Sequence, residues 1–379
     1  MEIMQSTPLL GGLSPAQFMR GYWQKKPLLI RAAVPGFKPL LKRPELFALA
    51  ARDDVESRLL QRAHGQWMLA HGPLPRRALP PIKAPNWTLL VQGVDALHDG
   101  ARALLERFRF VPDARLDDLM ISYATPGGGV GPHFDSYDVF LLQVKGRRRW
   151  RIGQQRDLRL KAGLPLKILA HFEPQHDWVL EPGDMLYLPP RWAHDGVAVD
   201  ECMTYSIGFR SPAPDRLASE LLYRLAEQLG EHADSALYKD AGQPAVPAPG
   251  AIPERLVQFA QRALSRATAD PKWLPVALGR WLTEPKANVW FQPLPEGAAT
   301  ATGGRGVVLD RRSRMLYLGE HVFINGEVVD VAIRDRAALQ RLADERRLDA
   351  RDSDRLGRSA RKSVDDWLRA GWLHVDDDA

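Results

Sequence analysis

The chain has 379 residues, 45% of them hydrophobic and 26% charged, which is enough for two or three domains around a sizeable core. Its single cysteine, Cys202, excludes an internal disulfide and suits a reducing compartment, and no run approaches the roughly 20 apolar residues of a membrane span. A net charge of +6 and a pI near 9.4 invite a nucleic-acid reading, but the basic residues are mostly arginines scattered among acids, and residues 301–379 carry 15 of each sign.

In chain order, the first residues lack a basic segment followed by an apolar run, so no signal peptide and a cytoplasmic location are expected. Residues 15–31 read as a helix ending before Pro27 and then a short strand, because the residue before a proline disfavours helix. Residues 43–51 and 94–108 also read as helical, the second with a stripe of Val94, Leu97, Leu104, Leu105 and Phe108. From 118 to 210 the pattern changes to short apolar runs punctuated by Gly and Pro. Strands are expected at 119–124, 139–144, 148–152, 179–180, 185–188 and 203–209. With no helical segments between them, they suggest an all-β barrel or double-stranded sandwich rather than a parallel sheet.

After Pro212 helix returns, with Leu217, Leu221, Leu222, Leu225 and Leu229 on one face and Gly230 as a stop. Residues 241–253 read as a Pro- and Ala-rich linker, followed by a helix carrying Leu256, Phe259, Ala260, Ala263 and Leu264. Such helices pack within the chain or form a dimer interface, and the pattern does not choose. Residues 286–379 read as a small α+β unit of winged-helix type. It has strands at 307–309, 315–318 and 322–324, an Asn325-Gly326 turn, and helices near 336–346 and 363–370. Its balanced charge argues against DNA binding.

The chemistry concentrates between 118 and 210. His133 and Asp135 lie two apart, so in a strand both point to one face and can reach one ion; His194, from a distant strand, would complete the set. Two histidines and a carboxylate leave the opposite face of a metal open, which suits non-haem Fe(II), although Mn(II), Ni(II) and Zn(II) fit by affinity. A His-x-Asp alone is common. The second half adds weight, since Gly183, five residues, Pro189 and then His194 resemble the second histidine motif of cupins, with Arg191 where glycine is usual. His171 and His176 read as surface loop histidines. In the run 145–152, Arg148 shares a face with Trp150 and Ile152, whereas Arg147, Arg149 and Arg151 read as a solvated face. A half-buried Arg148 needs an anion, either an internal acid or the distal carboxylate of 2-oxoglutarate. The triglycine at 127–129 lacks a following Lys-Ser/Thr and a helix, so it reads as a lip over the site and not as a phosphate cradle.

The segments 22–31, 126–140, 146–150, 181–190 and 205–210 together resemble the JmjC-type 2-oxoglutarate oxygenases. Within them the chain is similar to the bacterial ribosomal oxygenases that hydroxylate an arginine of the sixteenth large-subunit ribosomal protein. The resemblance implies an α+β chain in three parts. These are a double-stranded β-helix (cupin/JmjC jelly roll) with N-terminal helices at 1–210, a helical dimerisation region at 211–285, and a winged-helix-like domain at 286–379. It implies Fe(II) held by His133, Asp135 and His194, with 2-oxoglutarate and O2 as cosubstrates and the distal carboxylate on Arg148. Ser122 and Tyr123 become secondary contacts, Thr204 stands where relatives often have Asn, and Asp138 is the nearest acid to offset a cationic substrate. A ribosomal protein partner and a homodimer follow from the same resemblance, with no DNA or membrane partner. Two other readings stay open: a 2-oxoglutarate oxygenase for another protein or small molecule, N-methyl groups included, and a non-catalytic metal-binding cupin regulator.

Overall fold

The computed structural model describes residues 2–230, 237–245, 248–295 and 305–376. They form two compact units, Met1–Ser211 with Lys286–Trp290, and Pro212–Pro285 with Phe291–Ala379.

The first unit opens with helix α1 (Pro15–Gly21), whose start is fixed by a reciprocal cap between Ser14 and Gln17. The expected helix up to Pro27 ends early. Gln24 turns into the left-handed region and donates its N–H to the Tyr187 hydroxyl, so a tertiary bond replaces the next helical turn. Strand β1 (Leu28–Ile30) and helix α2 (Arg43–Ala50) follow as expected. Three unexpected strands come next: β2 (Ser57–Ala63), β3 (Gln66–His71) and β4 (Trp87–Val91). The anticipated helix over 94–108 is split into a single 3-10 turn at Val94–Ala96 and helix α3 (Asp99–Glu106), where His98 Nδ1 caps by accepting from the Ala101 N–H.

The remaining strands are β5 (Leu116–Ala124), β6 (Val139–Lys145), β7 (Arg148–Gly153), β8 (His176–Leu180), β9 (Met185–Leu188), β10 (Ala193–Ala198) and β11 (Cys202–Phe209). They build an eight-stranded sheet in the order β1-β9-β6-β11-β5-β4-β2-β3 and a three-stranded sheet β10-β7-β8. Neighbouring strands run antiparallel throughout. Side chains alternate across the large sheet, so it has two different faces. Ile121, Tyr123, Phe140, Leu142, Tyr187 and Tyr205 join the main core beneath α1–α3. Val139, Leu141, Leu186 and Leu188 point instead at Trp150, Ile152 and Leu180 of the small sheet. The result is the double-stranded β-helix, and its interior holds the site.

The second unit contains α4 (Pro214–Gly230), α5 (Glu254–Ala267) and α6 (Trp273–Thr283), then β12 (Val307–Leu309), β13 (Met315–Leu318), β14 (His321–Ile324) and β15 (Glu327–Asp330). It ends with α7 (Ile333–Glu345), β16 (Arg347–Leu348), α8 (Ala350–Arg355), α9 (Arg358–Arg369) and β17 (Leu373–Val375). Asn325 and Gly326 join β14 to β15 with φ of 49° and 90°, as a two-residue hairpin with both central residues left-handed requires. Leu339, Leu342, Leu348, Val364 and Trp367 centre a separate core. Of the anticipated linker at 241–253, residues 246 and 247 lie outside the described residues.

Candidate active site

His133 sits at the end of the glycine-rich stretch and His194 in β10. The two exchange backbone hydrogen bonds, His133 N–H to His194 O at 3.0 Å and His194 N–H to His133 O at 2.8 Å. His133 is therefore in an isolated bridge, not in the continuous strand that the spacing with Asp135 suggests. The pairing still brings the two rings to 4.2 Å between centroids. Asp135 Oδ2 lies 3.9 Å from His133 Nε2 and 3.6 Å from His194 Nε2, and one ligand atom from each residue falls within 4.8 Å of the others.

Both rings are oriented by their own backbone. His133 Nδ1 is 2.9 Å from Gly131 O, and His194 Nδ1 is 2.9 Å from Trp192 O. A carbonyl can only accept, so each Nδ1 carries a proton and each Nε2 faces Asp135. This is how metal-binding imidazoles are held. His194 is 3% exposed, and its pKa is pushed down to about 4, by burial first and then by the neighbouring His133. It stays neutral, as a ligand must. The turn into β10 takes the conformation that glycine normally supplies: Arg191 has φ 66°, and its N–H donates to Asp135 O at 2.7 Å, tying the second motif to the first.

Strand β7 points Arg148, Trp150 and Ile152 inward, as alternation predicts. On the outer face, Arg147, Arg149 and Arg151 pair with Asp200, Asp177 and Asp195. Arg148 is 5% exposed. Its Nη1 donates to Ser122 Oγ at 3.2 Å, while Nε and Nη2 have no hydrogen-bond partner among the described residues. A buried guanidinium with two unmet donors is costly unless an anion arrives, so the internal-acid alternative is not what the fold supplies. A dicarboxylate chelating a metal at the triad and reaching towards Arg148 fits this polar gap.

The other expected residues divide. Thr204 lies opposite Ser122 in register, on the same inner face, and donates to Gln143 Oε1 at 2.9 Å. Gln143 of β6 was not anticipated; the alternation Val139, Leu141, Gln143 is the signal that marks it as inward. Tyr123 is not with Ser122: one residue on, it points to the opposite face and packs against Phe47 and Trp87 in the main core. Asp138 does not reach the site either. It is 0% exposed and accepts from the Tyr187 hydroxyl at 2.7 Å, Gln24 Nε2 at 3.0 Å and Arg115 Nη2 at 3.4 Å, a fixed structural knot. The acid on the Ser122 face of β5 is Asp118, which accepts from Gln92 and Lys286. His171 and His176 are outside the metal cluster; His176 begins β8 and stacks on Trp178.

Comparison with known proteins agrees in both units. Residues 103–217 match the model of the JmjC domain, and residues 266–374 that of the ROXA-like winged helix. The ribosomal protein uL16 3-hydroxylase of Escherichia coli is 35% identical over 337 residues, covering 86% of this chain and 87% of that protein. A probable ribosomal oxygenase of Haemophilus influenzae is 38% identical over 204 residues, 53% of this chain and 50% of that one. The crystal structure of E. coli YcfD superposes with a TM-score of 0.84 at 31% identity, over 96% of this chain and 98% of that chain. YcfD in complex with cobalt and 2-oxoglutarate gives 0.80 at 30% identity, over 98% and 99%.

Proposed function

The chain belongs to the JmjC ribosomal oxygenase family, an Fe(II)- and 2-oxoglutarate-dependent group of enzymes, and from that premise we propose that it hydroxylates an arginine side chain of ribosomal protein uL16. The observation that carries the reading is a two-histidine, one-carboxylate triad in the same β-helix interior as a buried Arg148, two of whose nitrogens have no hydrogen-bond partner among the described residues. His133, Asp135 and His194 would hold the metal through Nε2, a carboxylate oxygen and Nε2 respectively. Arg148 and Ser122 receive the distal carboxylate of 2-oxoglutarate, with Thr204 and Gln143 beside them. Bound there, the metal with 2-oxoglutarate and O2 supplies the oxidant for an unactivated C–H bond, with succinate and carbon dioxide as the other products. The protein's own contribution is to fix the ligand tautomers, hold the cosubstrate by its distal carboxylate and position the target carbon.

Asp138 is enclosed, and Asp118 is buried and already paired with Lys286 and Gln92, so the charge of a cationic substrate is left to acids other than these two. We further assign residues 1–210 to the catalytic domain, 211–285 to homodimerisation and 286–379 to the winged-helix-like domain, in a cytoplasmic enzyme. The test is mass spectrometry of uL16 after incubation with the protein, Fe(II), 2-oxoglutarate and O2, with Asp135→Ala as the control. One added oxygen on an arginine, absent from the control, is the expected result. Succinate formed without modification of uL16 would keep the oxygenase and discard the target.

A further inference from the structure

We infer that Trp150 is a second anchoring donor for the cosubstrate, alongside Arg148, and that Gly196 is glycine in order to seat its ring. The inference rests on the 2-oxoglutarate reading above. In the small sheet, His194 pairs with Ile152, Gly196 with Trp150 and Ala198 with Arg148. Trp150 is thus the inward residue between the level of the metal ligand and the level of the buried guanidinium. Its ring lies 5.9 Å from the His194 ring and 5.8 Å from Arg148 Cζ. Any molecule that bridges the metal and Arg148 passes this level.

The ring is seated closely. A Cβ on Gly196 would stand 2.6 Å from Cη2 and Cζ3 and 2.9 Å from Cε3, so the six-membered edge of the indole occupies the space that a side chain would need. The N–H lies on the other edge of the ring, turned away from β10. Trp150 is 5% exposed, and its Nε1 has no hydrogen-bond partner among the described residues. Tryptophans buried this deeply ordinarily find an acceptor. Together with Nε and Nη2 of Arg148, the inner face of β7 presents three buried donor nitrogens without acceptors among the described residues. A carboxylate has about four lone-pair sites and only accepts, so one such group can take all three. A metal alone satisfies none of them.

The experiment uses full-length protein labelled with 15N-tryptophan and loaded with Zn(II), which is diamagnetic and supports no turnover. The indole resonance of Trp150 is identified by its loss in Trp150→Phe, or by its shift when Co(II) replaces Zn(II) if that variant does not fold. Addition of 2-oxoglutarate is expected to move this resonance downfield and slow its exchange with water. By calorimetry, Trp150→Phe is expected to bind 2-oxoglutarate about tenfold more weakly. An indole that stays in place while wild type binds 2-oxoglutarate overturns the inference, even if Trp150→Phe binds weakly, because the loss would then be one of packing. Wild type that binds no 2-oxoglutarate overturns the cosubstrate reading itself, and this inference with it.

Discussion

Arg191 holds a left-handed backbone, φ 66°, at an exposed position where the related motif has glycine. An L-residue there is strained by about 1 kcal/mol relative to glycine. Arg191→Gly is therefore expected to raise the free energy of unfolding, read from a denaturant titration, by that amount and to leave metal affinity intact; an unchanged or lower value would mean that the arginine side chain contributes a compensating contact. Arg148 behaves oppositely, since its cost is relieved only by ligand. Arg148→Gln is expected to weaken 2-oxoglutarate binding by about 10- to 150-fold, the loss of a charge-assisted pair of 1.5–3 kcal/mol, while the KM for the peptide stays near wild type. Equal effects on both would remove its role as cosubstrate anchor. Asp135→Ala is expected to abolish turnover and to keep the wild-type melting profile, because Asp135 is only partly buried.

At the scale of elements, the join between the 3-10 turn at Val94–Ala96 and β5 shows how a buried charge is tolerated. Asp95 accepts from the Leu119 N–H at 2.9 Å, yet its pKa is raised to about 6, by burial first and then by Asp118. The folded state binds this proton more tightly than the unfolded chain, whose aspartates titrate near 3.9. Its contribution is therefore full below about pH 4 and is lost as pH rises through about 6, a change of roughly 2–3 kcal/mol at most. Urea unfolding at pH 4 and pH 7.5 checks this: Asp95→Asn is expected to gain relative to wild type at the higher pH, and parallel profiles would refute it. The same turn shows what sequence could convey. The stripe over 94–108 identified the apolar face correctly, but not that Asp95 and His98 break the helix, since both breaks depend on partners. In β7 alternation alone exposed Arg148, because a two-residue period needs no tertiary knowledge. It could not separate Ser122 from Tyr123 until the face of β5 was known. β10 was illegible, as Ala-His-Asp-Gly-Val-Ala has little strand preference and is held by pairing with β7.

Across the whole molecule the unexplained feature is the apolar surface of the helices after 212. Helix α4 buries Leu221 and Leu225, but Leu222 is 57% and Tyr223 65% exposed. Helix α5 buries no residue at all, although Leu256, Val257 and Leu264 line it. A helix with an apolar stripe and no burial is stable in water only when something covers that stripe. Exposed apolar residues gathered on two neighbouring stretches of sequence mark an interaction surface, and closed two-fold pairing of identical chains is the commonest way to cover one. The homodimer proposed above would cover this surface. Leu264→Glu combined with Leu222→Glu places charges where the paired chains would meet and where neither side chain supports its own unit's core. Sedimentation velocity is expected to show the wild type at twice the 42.5 kDa chain mass and the double variant at once that mass. The first unit carries its own core and the metal triad, so the separated chain is expected to keep its affinity for Mn(II). A wild type that sediments as one chain at micromolar concentration would instead leave these helices for a different partner to cover.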